Sequence, residues 1–293
     1  MSLDFSGKVA IITGAGGGLG RSHALALAAR GARVVVNDMG GSVNGSGGAD
    51  TAAAKVVAEI VELGGEAIAD HCDITDVDAV AAMVATAVDK WGRVDILINN
   101  AGILRDKSFI KAELDDFRKV IDVHLMGSVI CSKAVWPHMV EQNYGRILMT
   151  TSASGIYGNF GQANYAAAKL GIVGLSRGIA LDMARFNVRS NCIAPFAWSR
   201  MTQSIPASTP EQQARWEQIK KDFKRVKMMG GSEDDPIARV TGQMTDLTEQ
   251  LSGIHGAMKN NTALSERLAG IETAVHAAAK LMQAEASRRQ AED

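Results

Sequence analysis

The chain predicts a doubly wound α/β fold, a parallel sheet covered by helices on both faces, and three observations carry that expectation. Short, nearly continuous apolar runs rich in β-branched residues recur through residues 1–222. Each is followed by an alanine-rich stretch with helical spacing, and the two textures alternate without a break. Strands that are apolar on both faces belong to parallel sheets, because each crossover lays a helix over one face or the other.

The elements follow in order. VAIIT at 9–13 leads into LGRSHALALAAR, and ARVVVN at 32–37 into DTAAAKVVAEIVEL. EAIADHC at 66–72 precedes DVDAVAAMVATAVDKW, and VDILIN at 94–99 precedes a long helical segment from about Glu113 to Gln142. RILMTT at 146–151, a helix around Tyr165, and VRSNCIA at 188–194 complete the series. After about Lys221 the texture changes: the basic run KKDFKRVK and the turn-like GGSEDDP lead into Ile237, Val240, Met244, Leu247, Leu251, Ile254 and Met258, spaced alternately three and four apart. That spacing makes one apolar seam along a helix. KNNT at 259–262 interrupts it, and Leu264, Leu268, Ile271 and Val275 resume in a shifted register. The expectation is a catalytic domain over 1–222 and an amphipathic helical extension over 223–293, a hairpin or coiled-coil arm that serves assembly.

Composition removes several classes of function. With 293 residues and 46% hydrophobic content the chain can bury a sizeable core. A net charge of −1 offers no basic field for phosphate backbones, so nucleic acid is not an expected partner. No apolar run approaches the roughly 20 residues of a spanning helix, and a cytoplasmic protein without a membrane partner is expected. Cys72, Cys131 and Cys192 are widely separated and lack CxxC pairing, which suggests reduced thiols with neither disulfide framework nor metal site.

The chemistry concentrates at strand ends. TGAGGGLG at 13–20 follows the first strand and opens the first helix, where glycines permit a tight turn and bring backbone close to a pyrophosphate at the helix N-terminus. Asp38 ends the second strand, 18 residues after Gly20, where a carboxylate can bond both ribose hydroxyls and repel a 2′-phosphate. NAD is therefore expected over NADP. Asp73, after the third strand, and NNAG at 99–102, after the fourth, extend the same polar edge. GQANYAAAK at 161–169 places Tyr165 and Lys169 four apart, hence on one helical face. An ammonium one turn away should lower the phenol's pKa and suit it to moving a proton. Ser152 lies 13 residues before Tyr165; Ser154 is the nearby decoy.

TGxxxGxG, NNAG, the serine 13 residues before a tyrosine, and YxxxK occur in this order, and together they resemble the short-chain dehydrogenase/reductase family over residues 1 to about 220. The resemblance implies a Rossmann-type fold and carries over Ser152, Tyr165 and Lys169 as catalytic groups. It also implies cofactor contacts at Gly14, Gly18, Leu19, Gly20, Asp38, Asp73, Ile74, Asn100, Ala101, Gly102, Tyr165, Lys169 and Pro195. In that scheme Tyr165 takes the alcohol proton, Ser152 bonds the substrate oxygen, and Lys169 also holds the nicotinamide ribose. One position departs: the family has an asparagine in a water relay where VHLMGS presents His124. His124 can serve the relay or be a satisfied core histidine; both readings stand.

NDMGGSVNGSGG, NNAGILRDKSF, HLMGS, SASGIYGNFGQANYAAAKLG and SRMTQ resemble more narrowly the (3R)-hydroxyacyl-CoA dehydrogenase units of the multifunctional enzymes of peroxisomal β-oxidation. This implies a small-molecule substrate, an acyl-CoA or a steroid, and a homodimer or homotetramer. Hydroxysteroid dehydrogenase and 3-oxoacyl thioester reductase remain alternatives, as does, from another class, a non-catalytic dinucleotide-binding interaction module. The family's closing strand is expected to be missing, since MTDLTEQL after Val240-Thr241-Gly242-Gln243 has a helical period.

Overall fold

A computed structural model describes residues 3–41, 44 and 51–195, with 213, 214 and 217 as isolated positions. The seam expected from Ile237, the question of the closing strand and the segment FAWSRMTQSIPAS all lie outside the described residues.

The strands are β1 (Val9–Thr13), β2 (Arg33–Asn37), β3 (Glu66–Asp70), β4 (Ile96–Asn99), β5 (Gly145–Thr150) and β6 (Val188–Ile193). They form one parallel sheet in the order β3-β2-β1-β4-β5-β6. The helices between them are α1 (Gly18–Ala28), α2 (Thr51–Glu62), α3 (Val77–Trp91), α4 (Leu114–Ile121), α5 (Gly127–Glu141), α6 (Ala153–Tyr157) and α7 (Ala163–Met183). The doubly wound fold is thus what the molecule adopts. The helical segment expected as one piece from Glu113 to Gln142 is interrupted by a π-helical turn, Asp122–Met126. One extra residue in a turn re-aims a side chain, and such turns recur at functional sites; here the turn carries His124.

Period-two alternation divides the core in two. Val9 and Ile11 of β1 with Leu97 of β4 join the layer under α3, α5 and α7. Ala10 and Ile12 with Ile96 and Ile98 join the layer under α1 and α2. Both sets are buried, which is why these strands read as continuous apolar runs. Truncating Ile11 or Leu97 to alanine should cost about 2–5 kcal/mol.

Caps fix the helix ends. Asp76 precedes α3, and its carboxylate accepts from the N–H groups of Asp78 and Ala79, both at 3.0 Å. Gly92 closes α3 in the left-handed region at φ 75°. After β3 the chain crosses to the far side of β1 to form β4. The loops after β1 and β4 therefore diverge over a crevice at the carboxyl edge, the usual ligand position in open α/β sheets.

Candidate active site

The crevice is lined first by backbone that side chains hold in place. Thr13, the last residue of β1, accepts at its hydroxyl from the N–H groups of Asn100 (3.0 Å) and Ala101 (3.1 Å). The Asn100 amide donates back to the carbonyls of Thr13 (2.9 Å) and Gly14 (3.1 Å). This exchange clamps the glycine-rich turn to the end of β4. Gly14 has φ 64°, and a Cβ there would lie 2.7 Å from the Cα of Ala101. A Cβ on Gly20 would lie 2.3 Å from the Gly14 carbonyl and 2.6 Å from the Asn100 amide. Only glycine allows the turn and helix α1 to pack this closely. Gly18 opens α1 with empty space where a side chain would project, and Leu19 follows in the same first turn, whose N–H groups suit a pyrophosphate.

Asp38 sits just past β2 and uses its carboxylate on this loop. One oxygen accepts from Gly16 N–H and the other from Gly40 N–H, each at 2.8 Å. The acid is thus a brace for this loop. Asp73 turns the chain after β3 by accepting from the N–H (2.9 Å) and hydroxyl (2.8 Å) of Thr75. Ile74 is buried against Gly127, where a Cβ would meet its Cδ1 at 2.6 Å. Pro195 follows β6 at the same edge.

The second half of the crevice carries the titratable groups. Ser152 caps α6, its hydroxyl accepting from Ser154 N–H at 3.2 Å, so Ser154 supports Ser152 through its backbone. Burial leaves the pKa of the Tyr165 phenol raised, and the Ser152 hydroxyl offsets this only in part. Lys169 is almost wholly buried and donates to the Thr150 carbonyl at 2.6 Å. Desolvation pulls its ammonium down to about 7. Its Nζ lies 5.5 Å from the centre of the Tyr165 ring. Tyr165 and Lys169 share a face, as their spacing requires. The expectation that the lysine's charge governs the phenol is corrected: burial acts on both groups more strongly than they act on each other.

His124 is 1% exposed, and burial holds its imidazole down to about 3, neutral at any ordinary pH. Its Nε2 lies 3.1 Å from the N and 2.8 Å from the O of Ile103, and its ring meets Tyr165 edge to face with centroids 5.2 Å apart. Gly102 leaves room for that ring, since a Cβ would fall 2.2 Å from His124 Cε1. Nδ1 has no partner among the described residues.

Several residues here gave no signal in the sequence. Asn164 donates to the Arg105 carbonyl at 3.0 Å and accepts from Tyr165 N–H at 2.7 Å. Gln162 donates to Asp106 at 2.7 Å, and Lys107 N–H donates to the Gly161 carbonyl at 2.9 Å. These bonds strap residues 105–107 across the start of α7, just ahead of Tyr165. Their partners lie more than 50 residues apart, beyond any local pattern.

A glycine cradle braced by an acid, set beside a Ser–Tyr–Lys cluster at the carboxyl edge of a doubly wound sheet, defines a dinucleotide-binding fold with an acid–base site. The family model described as short chain dehydrogenase matches residues 8–210, and the chain belongs to that family. Peroxisomal multifunctional enzyme type 2 of Drosophila melanogaster is 55% identical over 203 residues, 69% of this chain and 33% of that protein. This chain therefore spans about a third of that relative's length. A 3-oxoacyl-[acyl-carrier-protein] reductase of Synechocystis is 41% identical over 240 residues, 80% of this chain and 93% of that one. Among solved structures, a 7α-hydroxysteroid dehydrogenase complexed with NADH and 7-oxo glycochenodeoxycholic acid superposes with TM-score 0.64 at 38% identity, covering 71% of this chain and 77% of that one.

Proposed function

We propose that the chain is an NAD-dependent oxidoreductase acting on a secondary alcohol or its ketone, with a (3R)-hydroxyacyl-CoA as substrate. The observation that carries this reading is the placement of Ser152, Tyr165 and Lys169 beside the Asp38-braced glycine cradle. The nicotinamide, when bound, accepts or returns the hydride. Ser152 bonds the substrate oxygen, and Tyr165 removes the hydroxyl proton as the carbonyl forms. Lys169, easily deprotonated because it is buried, passes that proton on and bonds the ribose. Gly14, Gly18, Leu19 and Gly20 take the pyrophosphate, Asp38 the ribose hydroxyls, and Asp73, Ile74, Asn100, Ala101, Gly102 and Pro195 the remaining edge.

The acyl-CoA assignment is supported by the likeness to multifunctional enzyme type 2. A hydroxysteroid substrate is the second reading, favoured by the superposition on the 7α-hydroxysteroid dehydrogenase. Assembly as a homodimer or homotetramer belongs to the same proposal, supported by the exposed apolar side chains Phe109, Ile110, Tyr157 and Phe160. A cytoplasmic site is likewise proposed, supported by three free cysteines; relatives named as peroxisomal make subcellular fractionation its test. Among the described residues no helix is long and apolar enough to cross a membrane.

A substrate panel with NAD or NADP, followed by NADH or NADPH absorbance, tests the whole reading. Fastest turnover is expected for a (3R)-hydroxyacyl-CoA with NAD. Fastest turnover on a steroid alcohol would select the second reading, and no reduction of either cofactor by any secondary alcohol would leave the interaction module.

A further inference from the structure

The strap over the start of α7 has a charge arrangement that the proton path does not use. Arg105 and Lys107 flank Asp106, yet both turn to Asp116 of α4, with contacts of 2.6 and 2.9 Å. Asp106 is left with an amide as its partner among the described residues, Gln162 Nε2 at 2.7 Å. Gln162 is 5% exposed, lies three residues before Tyr165, and is fixed on its other side by Asn159 at 3.0 Å. The carboxyl is therefore held at a fixed place against the start of the catalytic helix, with no cation paired to it among the described residues. Burial is the main reason that the Tyr165 phenol is harder to ionise, and Asp106 adds a smaller push in the same direction. Asp106 keeps an exposed flank, but the desolvation it does suffer raises its own carboxyl more than the Gln162 amide lowers it. The charged groups on the strap itself, Arg105 and Lys107, are paired with Asp116, and the titratable groups that face Tyr165 are Lys169 of α7 and His124 of the π turn.

We infer that Asp106 is a specificity-determining residue, a fixed negative charge that turns away free hydroxy acids and admits neutral acyl groups such as thioesters. The inference rests on the proposed acyl substrate. A 3-hydroxy acid that places its hydroxyl on Ser152 and Tyr165 brings its own carboxylate within a few bonds of that hydroxyl. Like charges at such range repel through the partly buried medium, whereas an ester or thioester carries no charge to repel. Asp106→Asn removes the charge and keeps an oxygen for the Gln162 amide to bond.

The test compares oxidation of (3R)-3-hydroxybutyrate with that of its methyl ester, by NADH absorbance, in wild type, Asp106→Asn and Asp106→Glu. The ratio of acid to ester kcat/KM cancels any common loss from damage to the strap. That ratio should rise about five- to tenfold in Asp106→Asn, the scale of one screened charge at this range, and return toward wild type in Asp106→Glu. With the ester as substrate, the rise in rate with pH should also move to lower pH in Asp106→Asn, because Tyr165 loses a neighbouring negative charge. In the wild type the acid should gain on the ester as salt is added, a reading that needs no variant. An unchanged ratio in Asp106→Asn, or a wild-type ratio indifferent to salt, overturns the inference while brisk ester oxidation leaves the acyl reading intact. A wild type that oxidises a steroid alcohol but neither ester nor thioester overturns both.

Discussion

The glycine-rich turn and the surroundings of Lys169 share one edge of the sheet, but their polar groups are in opposite states. Around the turn, Thr13, Asn100 and Asp38 bond to main-chain groups, and two loops are locked against one another. On the catalytic side, Asn99 Oδ1, His124 Nδ1 and Thr150 Oγ1 are buried without a partner among the described residues. There too burial shifts three groups: Tyr165 up, Lys169 down to about 7 and His124 down to about 3. A satisfied clamp is rigid and suits binding of a fixed shape. Of the three, Lys169 is the one that burial brings to neutrality, where a group gives and takes protons most readily. The contrast teaches that recognition here rests on backbone geometry, and chemistry on desolvation.

Breaking the clamp should have the largest effect. Gly20→Ala drives a methyl into the Gly14 carbonyl and the Asn100 amide, so it should lower stability by about 1–3 kcal/mol and abolish measurable NAD binding in calorimetric titration. Ordinary NAD binding by a folded Gly20→Ala would show that the turn yields, and would remove rigidity from the account.

The catalytic side should answer to pH. Folded His124 stays neutral down to about 3, whereas the unfolded side chain protonates near 6.5, so between these values the unfolded chain binds more protons. Stability therefore falls as pH drops through that window. His124→Asn removes this dependence, and the loss between pH 6.5 and 5 should shrink by about 2 kcal/mol in urea melts. An unaltered acid limb would mean that the histidine does not stay neutral. Asp38 supplies the milder contrast on the binding side: Asp38→Ala should weaken NAD binding about tenfold, the scale of a charge-assisted hydrogen bond, while NADP, freed of the carboxylate's repulsion, should bind no worse than to the wild type. Equal losses for both cofactors would make Asp38 a brace for Gly16 and Gly40 alone.

What could be read from the sequence follows the same division. Gly14, Gly18 and Gly20 declare themselves because their spacing lies within one turn and one helix start, and Tyr165 with Lys169 because i and i+4 share a face. The sheet was legible because strands buried on both faces carry continuous apolar runs. The state of the catalytic groups was not. Helical spacing placed Lys169 beside Tyr165 but did not reveal that Lys169 is buried against the Thr150 carbonyl, which reverses the dominant influence on both groups. Nor could it show the π turn that aims His124, or the strap joining residues 105–107 to 161–164. These depend on packing between segments far apart in the chain. The position of Asp38 after β2 makes it an expected ribose contact, but its bonds to Gly16 and Gly40 come from a loop folding back on the acid and have no local pattern.

The separation of binding from chemistry is tested most directly by Tyr165→Phe, assayed for NAD affinity and for turnover in the same preparation. The ring remains to meet His124 edge to face and only the phenol oxygen is lost, so the cradle from Gly14 to Asp38 is untouched. The account predicts NAD binding close to wild type, with turnover reduced at least about 100-fold, the scale of general acid–base catalysis. Turnover near the wild-type rate would contradict it, since the proton would then be leaving by a route in which the phenol has no part.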